Sequence, residues 1–284
     1  MIADAMAHFP LPTLTPSGSR ENAMRTVTVI LAFLLQPLLA HGQPLPAGAL
    51  ADYQLGGGYP PPAGVTVVVR DSTDQPAPGS FNICYVNGFQ TQPGVDWPAD
   101  LLVPAPAGAP LADPGWPDEF LLDISTTENR AANLALIMPA ISACADKGFD
   151  AIEFDNLDSY TRAEGRLSLE DALSFASLLV GAARDLGLAS GQKNTPELGS
   201  RGRDEVGFGF AVVEECHRWR ECSAYTDIYG AGQVLGIEYT DDLRGSFTDA
   251  CADPDRPESL ILRDRKLAPA GAAGHVFRAC APLR

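Results

Sequence analysis

Gly148-Phe149-Asp150-Ala151-Ile152-Glu153-Phe154-Asp155-Asn156-Leu157-Asp158 reads as a helix stop, a short strand and a polar strand end in succession. Upstream, Asn129–Lys147 places Leu134, Ile137, Met138, Ile141 and Ala145 on one helical face, and Gly148 ends it. Downstream, Ser168 with Asp171 three residues later predicts an N-cap with a reaching carboxylate. An apolar stripe of Phe175, Leu178, Leu179, Ala182 and Leu186 follows, with Gly187 as its stop. A buried strand flanked by two amphipathic helices is the repeating unit of a parallel α/β sheet.

The same unit recurs outward in both directions. Val65–Val69 ends in Arg70-Asp71, Phe81–Val86 in Asn87-Gly88 and Phe120–Leu122 in Asp123. Leu188–Gly191 ends in Lys193-Asn194, Phe208–Val213 in Glu214-Glu215, Val234–Ile237 in Glu238-Tyr239 and Leu260–Leu262 in Arg263-Asp264. With the central run these make eight candidate strands, each carrying polar groups at its C-terminal end. Eight alternating units at this length predict a closed (β/α)8 TIM barrel with its chemistry at those strand ends. A doubly wound open sheet is the alternative, but no GxGxxG follows the first strand.

The barrel is expected to occupy residues 43–284 as a single domain. Residues 1–42 read as an N-terminal extension and signal peptide: Arg25, the apolar run Thr26–Ala40, then Ala40-His41-Gly42 as a cleavage site. The apolar run is too short, and too interrupted by Gln36 and Pro37, for stable membrane insertion. A secreted or periplasmic, monomeric protein is expected. Cleavage would remove two basic and two acidic residues, leaving the net charge at −16. Such a surface repels nucleic acid and anionic lipid and would attract a cationic substrate, although for overall charge the plainer and preferred reading is that it keeps an exported protein soluble. All six cysteines follow the signal, which suggests disulfides and leaves fifteen pairings open. The short Cys216–Cys222 loop and the Cys251–Cys280 bracket are the preferred pairs, with Cys84–Cys144 by elimination. The mature part has only His217 and His275 and no paired CxxC, so neither a metal nor any other cofactor is expected.

Strand alternation decides which side chains can do chemistry. Ile152 and Phe154 should face the helices while Glu153 and Asp155 share the barrel interior, where a carboxylate must be paired, bonded or used. Lys193, at the end of the next strand, is a ready partner. Of Glu214 and Glu215 only one can face inward. Asp71, Asp123, Glu238 and Asp241 are expected at the same mouth, with Lys193 and Arg70 or Arg263 offsetting part of the charge. Two carboxyl groups facing each other across a sugar are what glycoside hydrolysis requires. Tyr85, Tyr160, Tyr239, Trp97 and Trp116 could stack on sugar rings, loop packing being the plain alternative for each Trp. Lys193 could instead form a Schiff base, as in barrel aldolases.

At this point the chain resembles the endo-α-1,4-polygalactosaminidase-type glycoside hydrolases, the (β/α)8-barrel family often called family 114, from about Asp52 to Asp241. The resemblance runs through Asp52–Gly57, Ile83–Val86, Trp116–Glu119 with Leu122–Ile124, Gly148–Tyr160, Gln192–Asn194, Glu214–Cys216 with Glu221-Cys222, and Glu238-Tyr239. It implies Asp155 and Glu214 as the catalytic pair, with Asp71, Asp123, Lys193 and Glu238 lining the subsite. Tyr85, Glu153, Asn156, Asp158 and Tyr239 complete the expected substrate-binding set. The chain departs from the family at Gly209, where Asp is usual, at Phe154, where a proline tends to precede the DN pair, and in the loop Asn87–Gln92. The expected substrate is a polysaccharide, an amino-sugar polymer by the resemblance. The alternative of a non-catalytic sugar-binding or wall-associated barrel does not require an opposed acid pair.

Overall fold

The computed structural model describes residues 44–106 and 108–281, which fall in one compact unit. The signal segment expected at 1–42 lies outside the described residues. Eight parallel strands form the barrel in chain order: β1 (Ala51–Gln54), β2 (Val67–Asp71), β3 (Phe81–Asn87), β4 (Ala151–Asp155), β5 (Ala189–Lys193), β6 (Phe210–Glu214), β7 (Val234–Tyr239) and β8 (Ser259–Arg263). A short β9 (Phe277–Ala279) runs antiparallel along β8. The fold is the expected TIM-type barrel in one domain, nearly closed.

The two central helices form as their end signals dictate. α1 (Thr127–Lys147) is capped by the Thr126 side chain and ends at Gly148 in the left-handed region, φ 85°. α2 (Leu169–Asp185) opens on a complete Ser168–Asp171 capping box. Its buried face is Ala172, Leu173, Phe175, Ala176, Leu179, Val180 and Ala183. Leu178 and Leu186, expected in the stripe, are exposed instead, so the buried face is rotated from the expected one. Ile152 and Phe154 pack outward in the core shared with α1 and α2, and Ala151 faces the barrel interior with Tyr53, Phe210 and Leu235. The expected alternation of β4 therefore holds.

Strand membership needed two corrections. β1 was missed because its sequence, Ala-Asp-Tyr-Gln, contains no apolar run, although all four residues are buried. Phe120–Leu122 is no barrel strand. It makes only isolated antiparallel bridges to Gln90, Leu102 and Ala112 within the long excursion between β3 and α1. A three-residue apolar run signals burial without saying against what. The connections β1–β2 and β2–β3 also lack the helices that strict alternation predicts.

Between β8 and β1 the barrel is joined by side chains rather than a ladder. Ser259 Oγ accepts the Ala51 amide at 2.9 Å. Arg263 donates to the Asp52 carboxylate at 2.8 Å and to the Tyr53 carbonyl, with both charged side chains wholly buried. All six cysteines are paired, in the two preferred pairs and the one left by elimination: Cys216–Cys222 closes the loop after β6, Cys251–Cys280 anchors the segment after β9, and Cys84–Cys144 ties β3 to α1. No helix among the described residues is long and apolar enough to cross a membrane.

Candidate active site

At the C-terminal ends of the strands lies an open cleft of about 1130 Å³. At its centre Lys193 of β5, only 2% exposed, reaches Asp155 of β4 at 2.9 Å and Glu214 of β6 at 3.1 Å. Burial alone would lower the lysine pKa, but the two carboxylates outweigh it and hold the ammonium charged well above the ordinary range. This double ion pair speaks against the Schiff-base reading, because a nucleophilic lysine must give up its proton.

Each carboxylate has its own tyrosine. Tyr85 donates to Asp155 at 2.6 Å, and Tyr239 donates to Glu214. The Asn156 amide and the Asn194 side-chain amide complete the two shells at 2.8 Å and 3.2 Å. Burial would raise the pKa of Asp155, yet Lys193, the Tyr85 hydroxyl and the Asn156 N–H hold it below the usual carboxylate value. Beneath the pair, Glu153 is fully buried. It accepts from the Tyr53 hydroxyl at 2.7 Å, while its other oxygen has no partner. Burial pushes its pKa up to about 8 against the pull of Lys193. Opposite Glu153 in the β4–β5 register stands Gly191, where an added Cβ would lie 2.3 Å from the Phe210 ring, so this floor closes only with glycine.

Each of these three strands breaks immediately beyond its functional residue. Asn156, Asn194 and Glu215 all take left-handed backbone, with φ of 64°, 45° and 62°. Such conformations cost about 1–3 kcal/mol each for residues other than glycine and gather where surrounding structure enforces them. Here each one turns the chain away sharply and leaves the preceding Asp155, Lys193 or Glu214 pointing into the mouth.

The expected set divides clearly. Asp155, Glu214, Lys193, Tyr85, Tyr239, Asn156 and Asp158 line the cleft, with Glu153 beneath. Four expected acids lie elsewhere. Asp123 sits on the misread strand and accepts from Ser125 and Asn129 at the start of α1. Asp71 turns back onto Thr73. Glu238 neighbours the inward-facing Tyr239 and so faces out, taking the His217 and Arg218 amides. Asp241 pairs with Arg265 away from the cleft wall. Arg70 and Arg263 are likewise committed elsewhere, Arg70 to Gln54 and backbone carbonyls and Arg263 to the β1 seam. Their places in the cleft are taken by Asp113, Glu119, Glu197, Glu215 and Glu221, and by Tyr53 of the missed strand. The excursion residues Asp113 and Glu119 bore no strand signal, and only the segment around Trp116–Glu119 marked that region in the sequence.

A carboxylate pair opposed across an open, acidic cleft over the strand ends of a barrel has the form that sugar-cleaving barrels use. The model of glycoside-hydrolase family GH114 matches residues 39–282, and the chain belongs to this family of glycoside hydrolases. Among solved structures it is similar to Ega3 of Aspergillus fumigatus in complex with galactosamine, at 21% identity and a TM-score of 0.67, over 83% of this chain and 96% of that one. It is also similar to the glycoside hydrolase domain of PelA from Pseudomonas aeruginosa, at 15% identity and a TM-score of 0.54, over 79% and 98% of the two chains. Both likenesses establish the shared barrel fold. No curated protein sequence matches the chain significantly.

Proposed function

We propose that the enzyme is an exported endo-hydrolase of α-1,4-linked, galactosamine-containing polysaccharide, with Asp155 as nucleophile and Glu214 as general acid and base. The observation that carries this reading is the sharing of one buried ammonium by two opposed carboxylates. Through Lys193, the nearest oxygens of Asp155 and Glu214 are at most about 6 Å apart. The two groups are thus near enough to act on one glycosidic bond, and a retaining course, with Asp155 bonded to the sugar, is part of the proposal. In the reactive form Glu214 carries a proton and Lys193 stays paired with the ionised Asp155; Asp155 attacks the anomeric carbon as Glu214 passes that proton to the leaving oxygen. Glu214 then takes a proton from water, whose oxygen displaces Asp155 and restores both groups.

An amino-sugar substrate is supported by the cleft charge and by the galactosamine in the Ega3 structure. Of the cleft acids, Glu119, Glu197 and Glu221 have no ion pair among the described residues. A protonated amine would supply that counter-charge, and acetylation would remove it. Purified enzyme should release reducing ends from α-1,4-galactosamine polymer faster than from its fully N-acetylated form. Added salt should raise KM for the cationic polymer only. The first-formed product should carry the α-anomer by NMR. Faster cleavage of the acetylated polymer without salt dependence would reject the substrate, and an initial β-product would reject the nucleophile.

A further inference from the structure

Of the three tryptophans, one is structural and two are displayed. Trp97 is half-buried against the core and donates its ring N–H to Asn133 at 2.8 Å. Trp116 and Trp219 are 62% and 57% exposed, and both line the cleft. Two exposed indoles lining the same cleft offer flat apolar faces to whatever the cleft binds.

The backbone that carries Trp116 and the ring of Trp219 are both held. The Trp116 segment is pinned at Asp113, which takes the Gly115 and Trp116 amides at 2.7 Å and 3.1 Å and an ion pair from Arg162 at 2.5 Å. Trp219 has the Arg218 guanidinium against its ring at 4.7 Å, and Arg218 is itself held by Asp242 at 2.9 Å. A ring fixed before binding loses little entropy when a ligand stacks on it.

Their placement in the barrel gives them a direction. The Trp116 segment is tied to the ends of β3 and β4, through Glu119 to Asn87 and Gln90 and through Asp113 to Arg162. Trp219 lies in α3 (Cys216–Trp219), which leaves β6 directly and whose amides are held by Glu238 of β7. The Trp116 segment is thus anchored at β3 and β4 and Trp219 at β6 and β7, so that β5, whose Lys193 joins Asp155 to Glu214, lies between their anchor points in the strand order.

We propose that Trp116 and Trp219 are the sugar-stacking platforms on either side of the scissile bond, holding pyranose units of the polymer that are not themselves cleaved. A polysaccharide running from one ring to the other crosses the carboxylate pair midway, so that cleavage falls inside the chain. The apolar face of each pyranose covers one indole. The platforms require a glycan chain and thus rest on the glycosidase reading, but not on the sugar being galactosamine.

The test uses full-length protein carrying Asp155→Asn, which binds without turnover, titrated with three hexasaccharides: α-1,4-galactosamine, its N-acetylated form and β-1,4-glucosamine. Intrinsic tryptophan emission should change on binding, and Trp116→Ala or Trp219→Ala should each weaken binding about tenfold, the scale of one lost aromatic contact. Unchanged melting temperatures in both variants would show the fold intact, as expected for exposed rings. If the glucosamine hexamer alone binds and loses affinity in the variants, the platforms stand and the galactosamine reading falls. If calorimetric titration gives the same affinity with both rings removed, or if no hexasaccharide alters the emission of the parent protein, the platform assignment is overturned.

Discussion

Asp155 and Glu214 are held by matching sets of partners, yet only Asp155 also receives a backbone N–H beside its lysine contact. Asp155→Asn and Glu214→Gln are nearly isosteric and should each lower kcat by about 10²–10⁴-fold or more, with the melting temperature little changed. Glu238→Gln should retain most activity, because its carboxylate serves the start of α3 outside the cleft. If Glu238→Gln were inactive while Glu214→Gln remained active, the pair would lie on β4 and β7. Glu153 offers a second measurement. An acid whose pKa is raised on folding stabilises the fold fully below its unfolded value, and that contribution is lost as pH rises towards about 8. Urea midpoints of the wild type should therefore fall from about pH 5 to about pH 8, and Glu153→Gln should flatten that fall. Parallel curves would show that Glu153 is already ionised in the folded protein. Asp155 has the opposite sign, so its contribution appears only as a loss at acid pH. Two of the departures from the family lie side by side: a Cβ at Gly88 would lie 2.9 Å from the Phe154 Cβ, so the start of the loop after β3 passes β4 too closely for any residue but glycine.

Elements are joined here with unequal means. Strands β1 to β8 pair by backbone ladders around the barrel, while β1 and β8 meet chiefly through Ser259 and the buried Arg263–Asp52 pair. Truncating one partner of a buried pair strands the other charge, a loss of about 3–5 kcal/mol. Arg263→Met should destabilise the protein by that order in urea titrations, whereas Ser168→Ala, removing the α2 cap, should cost only about 1 kcal/mol. Equal effects would mean that the seam is no more critical than a helix end. The excursion between β3 and α1 matters for another reason. It contains no barrel strand, yet it supplies Asp113, Trp116 and Glu119 to the cleft.

For the whole molecule, three disulfides and a net charge of −16 fit an exported protein working on a cationic polymer. Intact mass of the secreted protein should give a mature N-terminus near Gln43 and no alkylation before reduction. Six alkylated thiols in the unreduced protein would reject the export reading.

Sequence by itself determined the barrel, because apolar period, helix caps and polar strand ends are local signals that repeat. It also determined the inward side of β4, since alternation along a strand leaves no freedom once one residue is placed. Tertiary structure alone decided strand membership at the two weak positions. Ala51–Gln54 is a strand only because its neighbours bury it, and Phe120–Leu122 is buried without joining the barrel. It likewise decided which acids meet. Glu238 is excluded by the same alternation that admits Tyr239, once the register is known, while Asp113, Glu119 and Glu197 reach the cleft along loops whose paths no periodicity records.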